Sequence, residues 1–150
     1  MSQFVDITNF SSEFLDALTQ LAEQSSRQRQ HENIHQHYAD PCQRLFNAIG
    51  IDSYIRPHRH SIDPKDECLI AVRGRMILAR RNKFGAGVNL PAGAWHTVIA
   101  EAPGSILFEV KSGPFNPEQA KEYAAGPPAE NTPEDSEYLM ELKHRVSVII

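Results

Sequence analysis

From Gln43 onward the apolar residues recur at a period of two, and this alternation restricts the possible fold more than any other feature of the chain. QRLFNAI and DSYIRPHRH, then ECLIAVRG, RMILAR, GVNL, HTVIA and SILFEV, each read as a short strand. Clusters of Gly, Pro, Asn and Asp separate them, the residue types that let a chain reverse. Many short strands without intervening helices argue for an all-β sandwich or barrel.

Helical spacing appears only outside this region. SEFLDALTQLAEQS, residues 12–25, places Phe14, Leu15, Leu18, Leu21 and Ala22 on one face. Ser11 or Ser12 can cap its start, and Glu13 and Asp16 suit the positive first turn. This predicts a helix packed on the outside of the domain or on a partner subunit. Residues 25–41 are polar and aperiodic and read as a solvated loop. AAGPPAENTP, residues 124–133, reads as a linker. A second helix is expected after it, with Thr132 as cap, Pro133 at the first position, and Tyr138, Leu139 and Leu142 as its apolar face. The organisation is therefore a lead-in over residues 1–42, a barrel over 43–123, and a linker with a C-terminal helix over 124–150, in one structural domain.

Composition narrows the partners. A formal charge of −4 gives no electrostatic reason to expect nucleic acid or an anionic membrane. No apolar run approaches the ~20 residues of a membrane-spanning helix. MSQFVDITNF lacks a basic start and an apolar segment, so a cytoplasmic protein is expected. Cys42 and Cys68 do not make a disulfide framework and read as small buried hydrophobes in a reducing compartment.

The chemistry concentrates between Tyr54 and Val98. Side chains alternate across a strand, so His58 and His60 point the same way and can reach one ion. Glu67 follows a turn at Asp63-Pro64-Lys65-Asp66, and His96 follows another at Pro91-Ala92-Gly93. Three imidazoles and a carboxylate suit one divalent transition metal ion (Fe, Mn, Ni, Co, Cu or Zn), with positions left for water or a small-molecule ligand. The bland alternative is ordinary core or surface histidines; the turn residues in register weigh against it. The same alternation carries Tyr54 and Arg56 onto the histidine face, where Arg56 would meet a phosphate, carboxylate or sugar acid, or else pair with Glu109. Leu69, Ala71 and Arg73 share the face of Glu67. Trp95 either covers a ligand at the rim or packs under its turn. Lys65, Asp66 and Glu101 read as solvated charge. Tyr54, His35 and Glu109 are the candidates for general acid or base.

These residues also carry a resemblance. Gly50…His58-x-His60…Glu67…Gly74, followed by Gly85…Pro91-x-Gly93-x-x-His96, resembles the paired signature motifs of the cupin superfamily. Arg29…His31-x-Asn33-x-His35, Asp40-Pro41-x-Gln43-Arg44, Arg56-Pro57-His58-Arg59-His60, Trp95-His96-Thr97 and Glu109-Val110-Lys111-x-Gly113-Pro114-Phe115 resemble the WbuC family over residues 27–130. Those are cupin-fold metalloproteins often encoded among surface-polysaccharide biosynthesis genes. The resemblance implies a mainly β protein, a cupin-type double-stranded β-helix (jelly-roll barrel) with an N-terminal and a short C-terminal α-helix. It implies metal ligands at His58, His60, Glu67 and His96, and a homodimer. It also implies a segment bearing Arg29, Asn33 and His35 folded over the barrel mouth to contact substrate; Arg56 and Trp95, from their positions beside the histidines, are the further candidate contacts.

There are departures from the pattern. Seven residues separate Gly50 from His58 and six separate His60 from Glu67, Ala100 replaces a frequent Asn, and ten residues separate Gly74 from Gly85. That last segment is short for the family, which implies a trimmed hairpin and leaves barrel closure there in question. The functional expectation is a metal-dependent protein acting on a small polar metabolite, a sugar or sugar nucleotide by resemblance, through isomerisation, epimerisation or oxygen-dependent chemistry. The alternatives are a non-catalytic metal-containing binding module and a structural barrel with an empty site.

Overall fold

The alternation that begins near residue 43 builds a five-stranded antiparallel sheet. In the computed structural model, which describes residues 8–79, 82–83 and 86–147, its members are β1 (Arg29–Asn33), β2 (Cys42–Ile49), β9 (Ser105–Ser112), β4 (Glu67–Arg73) and β7 (Gly87–Leu90), in that spatial order. Facing it are a three-stranded sheet, β6 (Asn82–Lys83), β5 (Met76–Leu78) and β8 (Val98–Ala100), and a two-stranded ribbon of β10 (Glu122–Tyr123) and β3 (His58–Arg59). With α1 (Ser12–Gln24) before the strands and α2 (Asp135–Ser147) after them, this is the expected cupin-type barrel. None of the helices described is long and apolar enough to cross a membrane.

Strands β2 and β9 of the large sheet sort their residues between two cores, and β4 contributes to the inner one. Leu69, Leu107 and Ile49 point inward and meet Met76, Leu78, Val98 and Ala100 of the facing sheet. Phe46, Ala48 and Ile106 point outward and are covered by Leu18 and Ala22 of α1. The rings of Phe10, Phe14 and Phe108 all lie within 5.5 Å of Phe46 or of one another in tilted or edge contacts. Ser11 caps α1, its hydroxyl accepting from the Phe14 amide at 3.3 Å. Leu139 of α2 closes a third cluster with Tyr54 and Ile99, flanked by Tyr138 and Leu142.

Several local expectations are corrected. Leu21, expected on the apolar face of α1, is 53% exposed, because the face that packs on the sheet is made by Leu18 and Ala22 with Phe14 and Leu15. The polar stretch after Ser25 is not all loop: β1 pairs with β2 from Arg29↔Ile49 to Asn33↔Leu45, a ladder that needs backbone groups rather than apolar side chains. Within DSYIRPHRH, regular pairing is confined to His58 and Arg59. Arg73 leaves the face of Glu67 through a bulge after Ala71 and pairs outside with Asp16 at 2.7 Å. The Thr132 hydroxyl donates to the Ala129 carbonyl instead of capping α2. Lys65 is buried, paired with Asp63 at 3.0 Å and donating to the Pro114 carbonyl. Cys42 is exposed and Cys68 partly so, because both fall on the outer side of the large sheet.

Gly85 lies outside the described residues. On that side, β5 pairs with both β6 and β8, so strand pairing continues past Gly74. Gly74 has φ +78°, and a Cβ there would meet the Ser105 side chain and backbone, which accounts for glycine at this turn.

Replacing Phe46 with Ala should remove a ring shared by α1 and the sheet and lower the unfolding free energy by about 3 kcal/mol. Leu21→Ala, on the exposed side of the same helix, should change it by no more than about 0.5 kcal/mol. Urea unfolding of both variants checks the contrast.

Candidate metal centre

Two short backbone pairings bring the histidines together. The His58 amide donates to the His96 carbonyl at 3.0 Å and the His96 amide to the His58 carbonyl at 2.9 Å, so the two motifs lie side by side. Gly93, with φ +79°, donates its amide to the His60 carbonyl at 3.0 Å and holds the second turn against the first. Glu67 enters from the opposite sheet as the first residue of β4, paired with Leu90 and Lys111.

The imidazoles are fixed by what their other nitrogens touch. Nδ1 of His58 donates to the Arg56 carbonyl at 2.9 Å, Nδ1 of His96 to the Ala94 carbonyl at 2.9 Å, and Nδ1 of His60 to the Ala120 carbonyl. A carbonyl can only accept, so in the neutral rings the Nε2 atoms carry the free lone pairs. Ligand nitrogens of His58, His60 and His96 all lie within 4.8 Å of one another.

Glu67 reaches the same point: Oε1 lies 3.0 Å from His60 Nε2 and Oε2 lies 3.1 Å from His96 Nε2. Yet His60 Nε2 is fully buried without an aligned hydrogen bond. A buried nitrogen lone pair facing a carboxylate without a proton between them is the arrangement a cation would complete. The four side chains therefore fit a divalent transition metal.

Electrostatics keep His58 and Glu67 in their binding forms. Burial drives His58 down to about 2, assisted by the positive charge of Lys121 and by His96. Burial alone would raise Glu67, but His60, His96 and Lys111 together hold it well below the usual carboxylate range. Lys111 carries no signal of this role in the sequence. Its Nζ lies 3.3 Å from Glu67 Oε1 and 2.5 Å from Glu109 Oε1, and the two carboxylates outweigh burial to keep it protonated.

A cavity of about 480 Å³ opens onto His58, His96 and Glu67, and Arg29, Asn33, His35 and Glu109 also line it. Arg29 and Asn33 of β1 thus form part of the cavity wall, with His35 beyond the strand's end. Asn33 reaches it in register with Leu45 and Glu109. Arg29, however, is held by Glu130 at 2.6 Å and by the Tyr54 carbonyl at 2.9 Å.

His35 is buried. Its Nδ1 lies 3.1 Å from the Arg44 amide and 2.9 Å from the Arg44 carbonyl, which already accepts from Ile34. The amide is an obligate donor, so Nδ1 accepts and the proton resides on Nε2, which has no partner.

The remaining sequence candidates do not line the cavity. Tyr54 points away because irregular backbone replaces the expected strand. Its hydroxyl donates to the Pro128 carbonyl at 3.0 Å, and burial pushes its pKa up to about 12. Arg56 donates to the Ala124 carbonyl at 3.1 Å and lies over the Tyr123 ring, not against Glu109. Trp95 is 39% exposed beneath the Arg59 guanidinium, 4.6 Å from its ring centroid. The expected linker explains the first two placements, since residues 124–130 lie across the barrel as a strap.

Comparisons with known proteins agree with this architecture. A family described as a domain of unknown function (DUF6016) matches residues 10–88. Among solved structures, KdgF from Halomonas sp. is similar at 18% identity and TM-score 0.50, covering 60% of this chain and 83% of that one. TT1209 from Thermus thermophilus is similar at 20% identity and TM-score 0.50, covering 63% and 92%. The polyketide cyclase RemF from Streptomyces resistomycificus is similar at 18% identity and TM-score 0.50, covering 72% and 82%. At these identities the likeness concerns the fold.

The buried donors make metal-free protein acid-labile. Unfolded His58 takes up a proton near pH ~6.5, whereas the folded residue resists it down to about 2. Stability should therefore fall as pH drops below ~6.5, by up to about 1.4 kcal/mol per pH unit from this residue alone. Glu67, held below 4.5 in the fold, adds in the same direction at lower pH. Urea unfolding of chelator-treated protein from pH 7.5 to 5 measures the slope, and a flat profile would contradict it.

Proposed function

The chain belongs to the DUF6016 family, and from that premise we propose that it is a metal-binding cupin that holds a small polar metabolite at the ion. The observation that carries the reading is the orphaned Nε2 of His60 facing Glu67, beside two further imidazoles whose Nδ1–H groups are tied to carbonyls. His58, His60, His96 and Glu67 would hold the ion. When bound, a divalent ion there supplies Lewis acidity to an oxygen of the ligand.

The chain's own groups divide the remaining work. Three carbonyls aim the rings, and Lys111 keeps Glu67 ionised. Inside the cavity, Leu69, Val98 and Leu107 exclude water from one side of the ligand. Glu109, oriented by Lys111, is the carboxylate placed to take a proton from a bound molecule. Tyr54 has no such part, because it faces Pro128.

A sugar or sugar nucleotide is the substrate class that the WbuC-like sequence pattern supports. The runner-up, a binding module without turnover, is favoured by the close Lys111–Glu109 pair, which already engages that carboxylate.

Elemental analysis of protein purified without added metal should find one equivalent of a divalent transition metal. His58→Ala and His96→Ala should each empty the site, and both variants should retain the β-rich circular dichroism of the parent, since the barrel has its own apolar core. Full occupancy in both would refute the ligand assignment. Incubating the loaded protein with sugar nucleotides, with and without oxygen, distinguishes turnover from binding alone.

A further inference from the structure

The cavity beside the candidate metal centre contains a lysine with no carboxylate in contact among the described residues. Four cationic side chains line it, and Arg27 shares Glu130 with Arg29. Arg29 is neutralised by Glu130 and Lys111 by Glu67 and Glu109. Lys121 makes no hydrogen bond or ion pair with any described residue; the charges around it are Glu109, Arg29, Lys111 and Glu130. It is nevertheless drawn in from solvent, because Ala120, its neighbour, is anchored to His60 and Glu122, on its other side, to Arg59 at 2.7 Å. Lys121 is half-buried, so its ammonium has less water around it than that of a fully exposed lysine.

A second, independent observation points the same way. The Nε2–H of His35, buried and without a partner, belongs to a residue lining the same cavity. Two donors without acceptors are therefore present where Glu67 and Glu109 have already been satisfied by Lys111. A third unpartnered atom, Oδ1 of Asn47, is an acceptor and would take a hydroxyl hydrogen. Adding a divalent cation would leave the cavity with an excess of positive charge. A volume of about 480 Å³ admits a molecule the size of a monosaccharide derivative.

We infer that Lys121, with His35 as second donor, recognises an anionic group on the metabolite, so that the ligand is a hydroxylated carboxylate or phosphate ester and not a neutral sugar. This rests on the metal-site reading above and deepens it by naming the ligand class. Lys121 is a binding residue in this account, and neither it nor His35 is needed to hold the ion.

The test is calorimetric titration of the protein, its ion content measured first, with glucuronate, glucose 6-phosphate and glucose. At least one of the two anions should bind about tenfold or more tightly than glucose, and whichever binds better identifies carboxylate or phosphate. Lys121→Met should erase that advantage by about tenfold or more at unchanged metal content, and Lys121→Arg should restore part of it. Equal affinity for glucose and both anions, no binding of either anion by protein that holds its ion, or unchanged anion binding in Lys121→Met each overturns the inference while leaving the metal site intact. Absence of the ion from the parent protein instead defeats the reading beneath it.

Discussion

Three backbone carbonyls decide what this barrel can do. Those of Arg56, Ala94 and Ala120 each take the Nδ1 proton of one histidine, and so present three Nε2 lone pairs to a common point. Rotating any ring away would strand a buried N–H and a buried carbonyl together, at a cost of about 1–3 kcal/mol for each unsatisfied group. The strands place the histidines, but these bonds hold the donor geometry in place without a cation to enforce it.

The opposite wall adds a charge with its own support. Cross-strand pairing puts Lys111 directly beside Glu67, with Gln43 on the next strand in the same row. Lys111 thus bridges the ligand carboxylate to Glu109, which sits one inward-facing position along β9. The candidate metal centre and the cavity wall are therefore one electrostatic unit. A change to Glu109 alters the surroundings of Glu67 through a shared ammonium, even though the two carboxylates lie on different strands.

What could be read in advance follows from the range of the interactions. His58 and His60 share a side because alternation is a local property, and Glu67 and His96 follow turns that Pro and Gly announce. The apolar face of α1 is equally legible apart from Leu21. Long-range features are hidden. Lys121 looks like any surface lysine until its neighbours are seen to be tied down at positions 60 and 59. Arg73 reads as inward-facing because a bulge after Ala71 leaves no mark in composition. β1 reads as loop because a strand stabilised by ladder hydrogen bonds at a cavity mouth needs no apolar alternation. Extending an ideal strand through Tyr54 and Arg56 draws both toward the site, whereas their backbone is irregular.

The strap, together with the residues from Ala120 that lead into it, has a role beyond covering the barrel. It supplies the acceptor for His60, a carboxylate to Arg29 and carbonyl caps to Tyr54 and Arg56. One ligand ring is consequently oriented from sixty positions downstream. The candidate metal site is finished late in the chain, so a nascent polypeptide released only as far as β9 would possess every candidate donor atom yet lack the scaffold that aims one of them.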